Sequence, residues 1–186
     1  MALDKSPNGW NDNHCISMIG HSLLNLERYE EALVWYNQIP ELPDINDNTR
    51  VRHYEMIGEV YFRQKKLPEA KECFLECLKQ SSDTRTRIIV QEKLARLYRR
   101  LGQNDAAIRY YKGAANAAAP YYAVAISARR QLAELYLSQK QYQEVLDLFK
   151  SVNCAKYASK QEKQQAEKLI HQATRGLAAA KKAAKK

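Results

Sequence analysis

One pattern of small, apolar and aromatic positions occurs four times along the chain. Each copy begins with a small residue, has a large apolar or aromatic residue three positions later, a further core-type residue at twelve and an aromatic at sixteen. The copies are spaced by 38, 37 and 38 residues. The four positions of the pattern are occupied, in chain order, by Gly20, Gly58, Ala95 and Ala133; by Leu23, Tyr61, Tyr98 and Tyr136; by Ala32, Ala70, Ala107 and Val145; and by Tyr36, Phe74, Tyr111 and Phe149.

The spacing within each copy predicts two helices joined by a turn. Residues three and four apart lie on one face of a helix. The small residue lets the two helices approach closely, and the aromatic residue fills the space beside it. Turn-like residues separate the two halves of each copy: Glu27-Arg28, Lys65-Lys66-Leu67-Pro68, Gly102-Gln103-Asn104 and Lys140-Gln141. The chain is therefore expected to be all-α and built from helix hairpins.

Loop-forming residues between the copies set the predicted boundaries. We expect a polar N-terminal segment over residues 1–11, followed by units at about 12–46, 47–83, 84–119 and 120–152. Residues 153–186 are predicted to form one more helix followed by a basic Ala/Lys tail. An apolar stripe on that helix would cover the open end of the fourth unit, and we expect fraying beyond Gly176. The stripe consists of Ala166, Leu169, Ile170 and Ala173.

The order small residue, aromatic, turn, alanine, aromatic resembles the tetratricopeptide repeat over about residues 12–152. Two features depart from that family. The units are longer than its usual length of about 34 residues, and its early Trp is replaced by Ile16, Tyr54, Gln91 and Arg129. The resemblance implies a right-handed superhelical solenoid of about four antiparallel hairpins with a C-terminal capping helix.

The resemblance also implies a concave groove lined by the first helix of each hairpin, where a peptide or helix of a partner protein binds. Its predicted lining is rich in Arg with interspersed Glu, and planar guanidinium groups bind carboxylates well. We therefore expect a protein scaffold or adaptor within a larger complex, whose partner segment carries acidic residues and an apolar anchor. The predicted groove residues are Arg52, Glu55, Glu59, Phe62, Arg63, Arg96, Arg99, Arg100, Arg130 and Glu134.

One subtype of the family fits the sequence poorly. Chaperone-binding members hold a C-terminal carboxylate with a specific set of Lys, Asn and Arg residues. The matching positions here carry a single basic residue, so a carboxylate clamp of that kind is not expected. These positions are Ser17, His21, Met56, Ile89 and Lys93.

The charge distribution leaves a second class of function open. The chain has 30 Lys and Arg against 21 Asp and Glu, a net charge of +9, and most of this excess lies in residues 156–186. A basic arm can bind phosphate backbones, so a nucleic-acid-associated repeat protein is the main alternative. A cytosolic secretion-type chaperone is another. The predicted electrostatic tail consists of Lys181, Lys182, Lys185 and Lys186.

No catalytic, cofactor or metal site is expected. Phosphate-loop, GxSxG and HExxH motifs are absent from the sequence. Cys73 and Cys77 are predicted to be core thiols because Cys77 aligns with apolar positions of the other copies. The chain has no long apolar run, and its first residues do not resemble a secretory signal, so we expect an intracellular, cytoplasmic protein. The oligomeric state stays open.

Overall fold

The computed structural model describes residues 12–41, 45–117, 121–150 and 158–184, and within these ranges the chain is all-α, as predicted. A short 3₁₀ helix, Ile39–Glu41, follows the second α-helix. The predicted segment 1–11 lies outside the described residues. In chain order the α-helices are α1 (Asp12–Asn25), α2 (Tyr29–Tyr36), α3 (Asp47–Arg63), α4 (Leu67–Gln80), α5 (Thr84–Arg100), α6 (Asn104–Ala115), α7 (Tyr122–Ser138), α8 (Tyr142–Lys150) and α9 (Lys160–Ala183).

The same turn connects the two helices of every predicted unit. In each turn one residue has a positive φ, and these residues are spaced by 38, 37 and 38, as the sequence copies are. The N–H of the following residue donates to a carbonyl five positions back, at 2.9 Å in all four turns. This is the Schellman arrangement that ends a helix. The residues with positive φ are Glu27 (58°), Lys65 (64°), Gly102 (72°) and Lys140 (59°).

The small residues are points of close helix contact, as predicted. A Cβ added to Gly20 would lie 2.3 Å from Cε1 of Tyr36, and one added to Gly58 would lie 2.7 Å from the Phe74 ring. Both aromatic residues are fully buried. The aromatic ring therefore occupies the volume that any larger residue would need at the small position.

The later pattern positions are buried in all but one case. The residue twelve positions after the small one is fully buried in every unit, and Tyr111 is fully buried as well. Phe149, the fourth aromatic of the pattern, is only half-buried. The fourth hairpin, formed by α7 and α8, is therefore less tightly closed around its aromatic residue than the first two.

Side-chain caps fix where several helices begin. Asn46 accepts a hydrogen bond from the N–H of Thr49 at the start of α3, and Asp83 accepts from the N–H of Thr86 at the start of α5, both at 2.8 Å. Ser159 caps α9 through a reciprocal capping box with Glu162. These caps satisfy N–H groups that have no partner inside the helix.

The C-terminal helix extends further than expected. Fraying beyond Gly176 was predicted, but α9 continues to Ala183. Gly176 does not end the helix because it is a packing position, where an added Cβ would lie 2.3 Å from Cε1 of Tyr142. The Ala and Lys residues that follow are good helix formers and continue the helix.

The chain divides into two compact units whose boundary lies between Leu97 and Tyr98, inside α5. We call them the N-terminal unit and the C-terminal unit and describe each by itself. The boundary falls within the predicted third repeat and not at either end of it.

Candidate functional site

A cross-helix ion cluster lies at the centre of the N-terminal unit. Glu55 and Glu59 are four residues apart on α3 and therefore share a face. Lys93 extends to them from α5, with its Nζ 3.1 Å from Oε1 of Glu55 and hydrogen-bonded to Oε2 of Glu59. Arg63 adds a second contact to Glu59, with Nε 3.3 Å from Oε1. Two carboxylates and two cations thus meet in one place.

The pKa shifts within this cluster follow from its burial and its charges. Burial opposes the charged form of Lys93, but the two carboxylates outweigh it, so the pKa of Lys93 is raised. Burial likewise opposes ionisation of Glu59, but the charge of Lys93, the hydrogen bonds from Lys93 and Arg63, and the charge of Arg96 together outweigh it, so the pKa of Glu59 is lowered. Both groups are therefore charged at neutral pH. The charges of the cluster neutralise one another.

A cavity of about 130 Å³ lies beside this ion cluster. It is bordered by α1, by α3 and by Lys93 of α5. The fully buried Tyr36 lines it, and its hydroxyl has no hydrogen-bond partner among the described residues. The ring of His21 contacts the Tyr36 ring edge-on, with centroids 5.9 Å apart. The cavity lining is His21, Leu24, Asn25, Tyr36, Glu55, Met56, Glu59, Arg63 and Lys93.

Phe62 does not have the exposure expected of a groove residue. Its side chain is 4% exposed, and the guanidinium of Arg96 lies over its ring at 5.4 Å from the centroid. Phe62 was predicted to line the groove, and its burial leaves little of the ring accessible to a partner. Arg96 itself is half-buried, and its Nη1 lies 3.9 Å from Oε2 of Glu92. A cation–π contact and a long ion pair together hold this guanidinium in place.

A second charged cluster lies in the C-terminal unit, on the last turn of α5 and the second half of α7. Nη1 of Arg130 lies 2.9 Å from Oε1 of Glu134, four residues further along the same helix. Arg99 of α5 approaches the other oxygen of Glu134 at 3.4 Å and also donates to the amide oxygen of Gln131. One carboxylate thus serves two guanidinium groups, which leaves the cluster with a net positive charge.

The remaining residues predicted to bind a partner lie apart from these clusters. Arg52 and Arg100 are exposed. Arg52 precedes Arg63 on α3 by roughly 16 Å along the helix axis, so α3 does not bring the two guanidinium groups together. In the tail, Lys181 and Lys182 are exposed on α9, whereas Lys185 and Lys186 lie outside the described residues.

Three residues that complete these clusters were not among the predicted groove residues. Lys93 was considered only as a clamp position, and Gln131 and Tyr36 were not considered for the groove at all. One signal existed for Lys93, since Glu55 and Glu59 form an acidic i, i+4 pair that needs a cation from a neighbouring helix. Tyr36 had no such signal because its pattern position predicts burial.

The cysteines fit the core positions predicted for them. Cys77 is fully buried and Cys73 half-buried. Burial raises the pKa of the Cys77 thiol to about 12 and that of Cys73 to about 11. Within the described ranges, no group of three or more His, Cys, Asp or Glu side chains is arranged to hold a metal ion.

The repeat pattern agrees with comparison to known proteins. The sequence profile of the tetratricopeptide repeat matches residues 49–118 and 86–152, which together make up more than half of the chain. The chain belongs to the tetratricopeptide repeat family. Repeats of this family generally mediate protein–protein interaction.

Solved structures of tetratricopeptide-like proteins share this fold. A chain of nearly identical TPR-like repeats, assigned to a Podosopora anserina kinesin light chain, is 16% identical with a TM-score of 0.60, covering 91% of this chain and 98% of that one. BtubC (BKLC) from P. vanneervenii is 18% identical with a TM-score of 0.57, covering 89% and 80%. MamA is 14% identical with a TM-score of 0.52, covering 92% and 82%.

At these identities the likeness shows the fold alone. No curated protein sequence matches the chain. Among the described residues, no helix is both long and apolar enough to cross a membrane.

Proposed function

We propose that this tetratricopeptide repeat chain is an interaction scaffold that binds a peptide or helical segment of a partner protein on the faces formed by its first helices. On this proposal the chain acts within a larger assembly and performs no chemistry of its own. The partner segment carries acidic residues, because the cluster of Arg99, Arg130 and Glu134 on α5 and α7 has one more cation than carboxylates.

One observation carries the proposal. In each unit, a cross-helix charge cluster on the first helices lies beside or on the rim of a cavity. The N-terminal unit has the Lys93 cluster beside its cavity of about 130 Å³. The C-terminal unit has Arg130 both in the Glu134 cluster and in the lining of a cavity of about 360 Å³. Ordered charges next to a recess can orient a partner and accept one of its side chains.

Quantitative capture of proteins on the purified chain tests the scaffold function. The informative variant is Arg96→Gln with Arg99→Gln, which neutralises two cations on α5 without adding charge. The matched control is Lys79→Gln with Arg109→Gln, which removes the same charge from exposed positions of the second helices α4 and α6. We expect the α5 variant to reduce capture of a specific protein at least about tenfold, and the control to retain it.

Two results would contradict the proposal. One is equal capture by the α5 variant and by the control. The other is that the unaltered chain retains no protein above background.

A second candidate function rests on the extension of α9. Lys168, Arg175 and Lys182 are spaced by seven residues and are all exposed, so they form one basic stripe along the helix. A stripe of this kind can follow a phosphate backbone. It predicts oligonucleotide binding that weakens steeply as salt rises and is lost when all three residues are changed to Gln. Binding that does not respond to salt would reject it.

A further inference from the structure

A recess of about 360 Å³ lies between α7, α8 and α9 in the C-terminal unit. That size falls in the range of ligand pockets, about 300–1,000 Å³. Its lining consists of Ile126, Ser127 and Arg130 of α7, Phe149 of α8, Ser159 before α9, and Gln161, Glu162, Gln165, Ala166 and Leu169 of α9.

The packing of α9 accounts for this space. Ala173 is fully buried and Gly176 is in contact with Tyr142, so α9 packs closely through its second half. Its first half presents small or polar residues toward the recess, such as Ala166 and Gln165. Phe149, which lines the recess, is half-buried, whereas the corresponding aromatic residues of the first two repeats, Tyr36 and Phe74, are fully buried.

One guanidinium group, that of Arg130, lines the pocket. Arg130 shares Glu134 with Arg99, so two guanidinium groups face one carboxylate. The other carboxylate of the lining, Glu162, accepts a hydrogen bond from the N–H of Ser159 at 2.7 Å. That carboxylate is therefore engaged in capping α9. Because a guanidinium has five N–H donors, an incoming carboxylate can bind Arg130 alongside Glu134.

We propose that this pocket receives one apolar side chain of a partner segment, while an adjacent carboxylate of that segment binds Arg130 and Arg99. The inference rests on the proposed scaffold function and locates its acidic, apolar-anchored partner on the C-terminal unit. The apolar side chains of the lining, Ile126, Phe149 and Leu169, favour burial of an aliphatic or aromatic side chain. The unmatched guanidinium charge favours carboxylates beside that side chain and disfavours basic flanks.

Titration of the isotopically labelled full chain with short peptides, followed by amide NMR shifts, tests this assignment. Three peptides of equal length differ only in their centre, which is Asp-Leu-Asp, Asp-Ala-Asp or Asn-Leu-Asn. We expect shifts at Ile126, Ser127, Gln165 and Ala166 with the Asp-Leu-Asp peptide. The Ala peptide should bind about tenfold more weakly because the buried methyl groups are lost. The Asn peptide should also bind about tenfold more weakly.

Two variants complete the test. Arg130→Gln should reduce the affinity for the Asp-Leu-Asp peptide about tenfold while leaving that for the Asn-Leu-Asn peptide nearly unchanged. Ala166→Phe should fill the pocket and block all three peptides, with the circular dichroism spectrum reporting that the chain is folded. Lys160→Gln, at an exposed position of the same helix, is the matched control and should not alter binding.

Several outcomes would overturn the assignment. These are equal affinity for the Leu and Ala peptides, shifts that map away from α7 and α9, or no shifts with any peptide up to about 1 mM. A single-stranded oligonucleotide that shifts the same amides more strongly than the peptides would assign the surface to nucleic acid instead. If Ala166→Phe captures a partner as well as the unaltered chain does, the scaffold function stands and the pocket assignment fails. If the peptides bind as expected but no partner is ever captured, the scaffold function fails on its own.

Discussion

The charged clusters of the two units differ in burial and in balance. In the N-terminal unit, the side chains of Lys93 and Glu59 are 16% and 13% exposed, and two carboxylates match two cations. In the C-terminal unit, Arg130 and Glu134 are 37% and 33% exposed, and one carboxylate faces two guanidinium groups. The Lys93, Glu55 and Glu59 side chains of the first cluster are mostly buried and the charges of that cluster balance, whereas the second cluster is more open to solvent and positive.

This difference separates a structural role from a binding role. A buried ion is stable only when its partners remain, so removing one partner is costly and an outside ligand has little to gain there. A partly exposed cluster with an excess cation contributes little to folding and keeps affinity for an external anion. We infer that the N-terminal cluster stabilises the helix packing and the C-terminal cluster recognises a partner.

The largest predicted effect is the loss of Lys93. Lys93→Met leaves Glu55 without its cation and Glu59 with Arg63 alone, so we expect about 3 kcal/mol loss in the free energy of unfolding. In the C-terminal unit, Arg130→Gln should cost less than about 1 kcal/mol because its ion pair is solvated. Chemical denaturation of both variants measures the difference. Equal losses in the free energy of unfolding would contradict the assignment of a structural role to the N-terminal cluster alone.

The next effect tests close helix contact. Gly58→Ala adds a Cβ that would overlap the Phe74 ring, and we expect a loss of about 1–2 kcal/mol despite the better helix propensity of Ala. The reverse change in the C-terminal unit, Ala133→Gly, should also cost about 1 kcal/mol, but because Gly has a lower helix propensity than Ala. Thermal unfolding in a Phe74→Leu background distinguishes the causes. There the cost of Gly58→Ala should fall, with only the tight contact to the Cβ of Cys73 at 3.2 Å remaining, and an unchanged cost would contradict the overlap with the Phe74 ring.

A smaller effect compares the turns of the two units. Gly102 has a φ of +72° with open space around its Cα, so Gly102→Ala should cost about 1 kcal/mol from backbone strain alone. Lys65 has the same kind of φ in the N-terminal unit, and Lys65→Gly should be stabilising by about 0.5 kcal/mol. Denaturation midpoints of the two variants should move in opposite directions. A shift of both midpoints in one direction would argue against a common turn geometry.

The smallest effect is in the acid range. The pKa of Glu59 is lowered from its usual 4.5, so the folded chain holds this carboxylate ionised more strongly than the unfolded chain does. Its contribution to stability is present above about pH 4.5 and is lost as the pH falls through the lowered pKa. In Glu59→Gln, Tm should fall less steeply below that pH than in the unaltered chain. Glu144→Gln, at an exposed position of α8, is the control, and a slope equal to that control would contradict the assignment.

Much of the fold could be predicted because the spacing of small and aromatic residues in the sequence matches the contacts between the two helices of each hairpin. Gly20 and Gly58 are small for the reason that the spacing indicated, and the turn positions repeat at the intervals of the sequence copies. The helical extent beyond Gly176 could not be predicted. A glycine near a helix end favours termination, and only the contact with Tyr142 shows that it is a packing position.

The candidate site was less predictable because it depends on contacts between side chains of successive helix hairpins. Glu55 and Glu59 were named for the groove, but their partner Lys93 approaches from a different hairpin. Phe62 was named for the groove, but its side chain is buried, and the guanidinium of Arg96 lies over its ring. Helix-face arguments locate a residue on its own helix. They do not specify which side chain of the next hairpin lies over it.

The most direct test of the division between the two clusters is the affinity of the Asp-Leu-Asp peptide for Lys93→Met and for Arg130→Gln, measured where both variants are folded. Our account predicts that Lys93→Met binds as the unaltered chain does and that Arg130→Gln binds about tenfold more weakly. The opposite result, with affinity lost in Lys93→Met and kept in Arg130→Gln, would contradict it and move recognition to the N-terminal unit.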